Sequence, residues 1–232
     1  TDVGYHKHKI DRKYEHYINI FGADHHGYVK RITSAFDTLK DDYQSLEIIL
    51  YQLVNLFENG KKKQMSTRKG DFYSLEELRE EIGSDVIKFF FLEKKSDHAI
   101  DFDVLKSKEE SKTNPYFYTQ YAHVRCCSIL HNKTPDFTCM YDENEITKNF
   151  DLLSKIINYP KHLEDFAKER SPHSLVHFLK ELAAEFHSFY ETNPVLVEND
   201  TVANSRLIIT KATQVVLQNG LELLSVKPLS KM

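Results

Sequence analysis

Five cations fall within nine residues of one short segment, Lys61-Lys62-Lys63-Gln64-Met65-Ser66-Thr67-Arg68-Lys69-Gly70. Such charges can neutralise phosphate, the Ser66 and Thr67 hydroxyls can bond its oxygens, and Gly70 lets the backbone bend close to a ligand. That is the chemistry of polyphosphate binding. A solvated basic surface is the plainer reading of the same composition. Ser74-Leu75-Glu76-Glu77 follows as a capping box, with Ser74 as N-cap and Glu77 at N3, so the segment runs into a defined helix start.

A second group is Gly22-Ala23-Asp24-His25-His26-Gly27, where glycines flank a carboxylate and two imidazoles. A nucleotide or amino-acid contact, a turn with polar caps and a zinc site are all readings of these residue types. His6, His8 and His16 lie nearby, but the spacing fits no metal motif. A third group is Asn114-Pro115-Tyr116-Phe117-Tyr118-Thr119-Gln120-Tyr121-Ala122-His123-Val124-Arg125. Phe117, Tyr121 and Val124 share a face at i, i+4, i+7, as a core stripe requires. Tyr118 and Arg125, seven residues apart, share a related face from which one can stack on a base and the other can meet phosphate or a base edge.

The elements that must hold these groups are legible in the same pattern. Residues 17–21 and 46–54 are apolar runs rich in β-formers, and residues 28–39 between them carry Val29, Ile32, Ala35, Phe36 and Leu39 at helical spacing. Strand, helix, strand is the unit of a parallel sheet, and ligands of such sheets sit beyond the carboxyl ends of the strands, here at Gly22 to Gly27. Residues 85–92 predict a buried helix, and Asp101-Phe102-Asp103 a cap for another from Val104. Asn114-Pro115 and Ser171-Pro172 each read as an N-cap with proline at N1, opening helices to about residues 130 and 190. Shorter helices are expected over 145–157 and 160–168. The last, over 201–224, is expected to bury Val202, Ile209, Ala212, Val216 and Leu223, with Ile208, Val215 and Leu224 beside them.

The bulk numbers bound the answer. The chain has 232 residues, 41% apolar and 28% charged, enough for two ordinary domains, with a boundary expected near residue 105. A net charge of −4 argues against a general nucleic-acid coat, so RNA contact must come from local patches. Three cysteines make no disulfide framework in a chain of this size, which points to a reducing cytoplasm. No apolar run approaches the roughly 18 residues of a membrane span. Thr1-Asp2-Val3-Gly4 carries neither a Met start nor a leader pattern and reads as a beginning within a longer protein.

Read in order, the motifs resemble class I aminoacyl-tRNA synthetases, and within them the bacterial-type arginyl-tRNA synthetase family. Met65-Ser66-Thr67-Arg68-Lys69-Gly70 before an aromatic residue and a Ser-Leu-Glu-Glu helix is similar to the Lys-Met-Ser-Lys-Ser signature loop. Gly22-Ala23-Asp24-His25-His26-Gly27-Tyr28 resembles the segment bordering the adenylate pocket. Thr1-Asp2-Val3-Gly4-Tyr5-His6 resembles the end of the family's Tyr-x-x-x-Asp segment, whose carboxylate pairs with the guanidinium of substrate arginine. Residues 114–125, 185–196 and 206–224, closing on Pro228-Leu229-Ser230-Lys231-Met232, resemble the anticodon-binding domain, and family members commonly finish on such a Met.

The resemblance implies an α/β partial nucleotide-binding, Rossmann-like half-domain over residues 1–105, followed by an all-α helical bundle over 106–232 that binds the anticodon. It implies a ligase that joins arginine to ATP as arginyl-adenylate, then passes the arginyl group to arginine tRNA with no covalent enzyme intermediate. Mg2+ would accompany ATP, with no tightly bound metal, in a cytoplasmic and monomeric parent. Lys63, Met65, Ser66, Thr67, Arg68 and Lys69 would be catalytic; Gly22, Asp24 and His25 would bind ATP and the adenylate; Asp2 would bind arginine. Tyr118, Arg125, Tyr190 and Met232 would hold tRNA. Two departures stand out: Gln64 occupies the place of the motif's first lysine, and the family's His-Ile-Gly-His motif occurs nowhere. The expectation is therefore the carboxyl-terminal portion of the enzyme, unable alone to activate arginine. A free-standing helical RNA-binding module and a protein-assembly scaffold are the alternatives.

Overall fold

The computed structural model describes residues 2–58, 60–62 and 74–232, and of Asp2 only the backbone. No helix among the described residues is long and apolar enough to cross a membrane. By packing the chain divides into two compact units, Thr1–Leu56 with Lys94–Phe102, and Phe57–Glu93 with Asp103–Met232.

In the first unit, helix α1 (Asp2–Ile10) precedes strand β1 (His16–Gly22), helix α2 (Val29–Leu39) and strand β2 (Ser45–Tyr51). The strands pair in parallel, from His16 opposite Ser45 to Gly22 opposite Tyr51, so the strand-helix-strand unit read from the sequence is present. Tyr17, Ile10 and Phe36 form its small core, with Leu39 and Leu46 packed against them. Gln44 is buried without loss because its amide donates to the Ile10 and Tyr14 carbonyls, at 3.2 Å each, and to the Tyr17 hydroxyl at 3.1 Å. Among the described residues this sheet has only two strands, and Ile20 on β1 is 65% exposed. Two strands alone are marginal.

The strand expected over 46–54 ends at Tyr51, and Val54 opens a separate strand, β3 (Val54–Glu58). β3 lies between β4 (Lys61–Lys62), which runs antiparallel to it, and β5 (Ile100–Asp103). β5 occupies residues expected only as a cap, although Asp103 does cap the short helix α5 (Val104–Ser107) by accepting from the Leu105 and Lys106 amides.

The second unit is helical. Ser74 and Glu77 form the expected capping box at the start of α3 (Leu75–Ile82), which meets α4 (Ser84–Leu92) at Gly83, whose φ of 85° suits a residue without a Cβ. Asn114 caps α6 (Pro115–Asn132) through the Tyr116 and Phe117 amides, as read from the sequence. Ser171 does not cap α9 (Pro172–Thr192): its hydroxyl turns back to the Phe166 carbonyl at 3.4 Å. The helix expected over 145–157 is divided into α7 (Glu143–Lys148) and α8 (Phe150–Lys168) at Asn149, whose side chain takes the Glu145 carbonyl at 2.7 Å. Pro160 starts nothing. It lies inside α8, where burial of neighbouring Tyr159 and of Leu152 offsets the lost backbone bond.

Helix α10 (Asp200–Leu223) buries Ile209 and Val216 as expected, but Val215 is 50% and Leu223 57% exposed. Its buried face includes Ser205, Thr210 and Thr213, which apolar counting passes over. Each hydroxyl donates to the carbonyl four residues back, at 2.8 to 2.9 Å, and so can be buried fully satisfied. At Gly220 the helix approaches α9 so closely that a Cβ would stand 2.5 Å from Leu179 Cδ2. The core joins α6, α8, α9 and α10 through Ala122, Leu152, Leu182, Phe186, Leu207 and Leu217.

Candidate functional site

Helices α6 and α9 enclose a cavity of about 300 Å³. Its wall takes Tyr118, Tyr121 and Arg125 from α6 and His187 and Tyr190 from α9. Positions 118, 121 and 125 fall at i, i+3 and i+7, and 187 and 190 at i and i+3, so one face of each helix supplies them.

The Arg125 guanidinium carbon stands 5.1 Å from the Tyr121 ring centre and 4.8 Å from that of Tyr190. It donates to the Tyr190 hydroxyl at 3.4 Å and to the Tyr121 hydroxyl. The cation is thus fixed between two aromatic faces, which lowers the entropy cost of presenting it to a ligand. Behind it, the His187 ring stacks against Tyr121 at 5.5 Å and meets Tyr118 at 4.4 Å. His187 Nε2 lies 3.3 Å from the Tyr118 carbonyl, which can only accept, so Nε2 carries the proton. Burial pushes the pKa of His187 below its ordinary value, which keeps the ring neutral at pH 7, and the same cause raises that of Tyr118. Lys112 and Glu191 pair at 3.6 Å on the rim.

Four half-buried aromatic rings, those of Phe117, Tyr118, Tyr121 and Tyr190, with one fixed guanidinium and a neutral imidazole, suit an unstacked nucleobase: π faces hold the ring, and the cation stacks or meets phosphate. Tyr118, Arg125 and Tyr190, named from the sequence, are brought together here. Phe117 and Tyr121 correct the expected core stripe: Val124 is buried, but both rings line the cavity, because the buried face of α6 is centred on Thr119, Ala122 and Cys126. His187 was not singled out from the sequence, and its spacing of three from Tyr190 was the available signal. Met232 is 55% exposed and does not line this cavity.

The Gly22–Gly27 group forms a 3-10 turn (Ala23–Tyr28) directly after β1, at the carboxyl end of the parallel pair. Gly22 leaves room for the Asp24 carboxylate, which a Cβ there would have to push aside. The exposed His25 holds Nε2 3.6 Å from the Asp24 carboxylate and its ring between Phe21, at 5.8 Å, and Tyr28, at 6.0 Å. Lys63, Met65, Ser66, Thr67, Arg68 and Lys69 lie outside the described residues, as does the side chain of Asp2.

Comparison with known proteins places these features in context. Residues 119–232 match the family described as DALR anticodon binding domain. Over its full length the chain is 44% identical to an arginine–tRNA ligase of Nitrosospira multiformis, of which it covers 41%. A Campylobacter jejuni structure described as that of an arginyl-tRNA synthetase superposes over the whole chain with a TM-score of 0.84 and 31% identity, the chain covering 51% of it. The arginyl-tRNA synthetase of Thermus thermophilus, 22% identical over 95% of this chain and matched over 42% of its own length, shares the fold with a TM-score of 0.70. The chain thus spans about two fifths of the length of the curated relatives it matches.

Proposed function

Because this chain belongs to the arginyl-tRNA synthetase family, with an anticodon-binding domain over residues 119–232, we propose that it is the carboxyl-terminal part of an arginine–tRNA ligase and supplies the anticodon grip. The observation that carries the proposal is Arg125 held between Tyr121 and Tyr190 in a cavity of nucleobase character within that domain. Residues 106–232 act in RNA binding, and residues 1–105 belong to a catalytic domain completed by sequence outside this chain. The exposed apolar residues Ile18 and Ile20, on one face of the two-stranded sheet, fit a face that a further packed element covers.

In the whole enzyme, Asp24 and His25 face the adenylate at the end of β1 and Asp2 pairs with the substrate guanidinium. Residues 61–70 stabilise charge on the departing pyrophosphate, with Mg2+ arriving on ATP. The aminoacyl group then passes to arginine tRNA, held at its anticodon by the α6–α9 face. The parent is proposed to be a cytoplasmic monomer. The rival scaffold reading requires no RNA affinity.

Arg125→Ala is expected to weaken binding of arginine tRNA by about tenfold or more, about 1.4 kcal/mol, with little change in melting temperature because Arg125 is only half-buried. Arg125→Lys should recover part of the loss, since it keeps the charge but not the planar fork. Filter binding alongside thermal melts reads both quantities. Unchanged affinity in Arg125→Ala removes the cavity from the interface.

A further inference from the structure

We infer that Gln120 and His123 are positioning residues for RNA binding: they fasten residues 225–229 to α6 and thereby set where Met232 meets the tRNA. The inference rests on the tRNA role that the family resemblance implies for Met232 and goes beyond it by naming what holds that residue in place.

Gln120 is completely buried, on a helix whose other buried residues are mostly apolar or small. Its side-chain amide accepts from the Leu229 amide at 3.0 Å and donates to the Lys227 carbonyl at 2.9 Å. Those are the two bonds a neighbouring β-strand would make. His123, 3% exposed, donates from Nδ1 to the Leu229 carbonyl at 2.7 Å. Upstream, Leu224 and Val226 are buried in the helical core, the Lys227 amide donates to Asp85 at 3.0 Å, and Lys88 donates to the Ser225 carbonyl at 2.7 Å. Pro228 stiffens the segment between the two residues that Gln120 holds. Residues 230–232 then project into solvent.

Two buried polar side chains on one helix cost free energy unless each bond is made, and here their partners are backbone groups of a single extended tail. An apolar seat would hold such a tail in many registers; this one accepts Lys227 and Leu229 at fixed points. Ordering the tail in advance removes the entropy cost of doing so when RNA arrives. The placement is also distinct from the cavity, since at 100° per residue His123 lies about 160° around α6 from both Tyr121 and Arg125. Helix α6 therefore serves two contacts, one on each side.

The test is a cycle in the full-length enzyme, measuring the Kd for arginine tRNA and the melting temperature of wild type, Gln120→Leu, a form lacking residues 230–232, and the two changes combined. Truncation and Gln120→Leu are each expected to weaken binding about fivefold, and the combination no further than truncation alone. Because Gln120→Leu alters a buried site, Leu229→Pro serves beside it: it deletes the amide that Gln120 accepts from while leaving the core untouched, and should match Gln120→Leu in affinity. Independent, multiplying losses, or a Leu229→Pro variant with full affinity against a weakened truncation, overturn the positioning role while leaving Met232 as an RNA contact. Full affinity in the truncated form overturns the Met232 reading itself, and the positioning role with it.

Discussion

Replacing Glu145 by Ala is expected to destabilise the helical unit by about 3 to 5 kcal/mol, among the larger effects of a single substitution. Glu145 is 3% exposed, and both its oxygens accept from Arg206, at 2.7 Å from Nε and 2.9 Å from Nη2. Arg206 also donates from Nη1 to the Pro194 carbonyl at 2.7 Å, so one guanidinium ties α7, α10 and the segment after α9 together. Removing the carboxylate leaves that guanidinium largely buried without its counter-charge. The Arg206 hydrogen bond, first among the causes, holds the Glu145 pKa below its ordinary value of 4.5. A carboxylate lowered on folding contributes stability that is present above the unfolded pKa and lost as pH falls through the folded one. The gap between wild type and Glu145→Ala should therefore be full at pH 7 and shrink below about pH 4.5. Urea titrations at pH 7 and pH 3 decide the point, and a gap of equal size at both would show that packing, not the ion pair, carries the effect.

In the full-length enzyme, changing Arg68 and Lys69 together to Ala should slow adenylate formation by about a hundredfold to a thousandfold, on the basis of roughly 2.7 to 4 kcal/mol for an aimed donor. Arginine affinity should hardly move. Charge on the departing pyrophosphate grows only as the bond to it breaks, so cations facing it bind the transition state more tightly than the ground state. On the proposed reading, with Gln64 where the family motif opens on lysine, that task falls to Lys63 or to the trailing Arg68 and Lys69. Single-turnover measurement of the adenylate separates the two quantities. Equal losses in rate and affinity would indicate a ground-state contact instead.

Much of this architecture is written in local pattern, and the exceptions share a cause. The capping box at Ser74, the Asn114-Pro115 start and the parallel pair around α2 follow from residues near one another in sequence. Ser171 fails as a cap because its hydroxyl is turned back to donate to a carbonyl of the preceding helix. Pro160 fails as a break because Leu152 and Tyr159 before it and Leu163 and Phe166 after it pack against the core. The stripe on α10 was legible at Ile209 and Val216 but not at Ser205, Thr210 and Thr213, because hydroxyls bonded to their own helix count as core.

The site divides in the same way. Tyr118 and Arg125 share a helix face, and spacing alone pairs them. His187 and Tyr190 join them only because α9 packs against α6, a contact between residues more than sixty positions apart. Gln120 and His123 point the same lesson: nothing near them in sequence marks their partners at Lys227 and Leu229.

The central claim, that the α6–α9 face grips the anticodon of arginine tRNA, is tested most directly by the affinity of this chain for that tRNA against an unrelated one of equal length, at fixed salt so that charge alone cannot discriminate. The expected result is at least tenfold tighter binding of the arginine tRNA, with the preference abolished in Arg125→Ala. Equal affinity for the two RNAs, or a preference that survives Arg125→Ala undiminished, would contradict it.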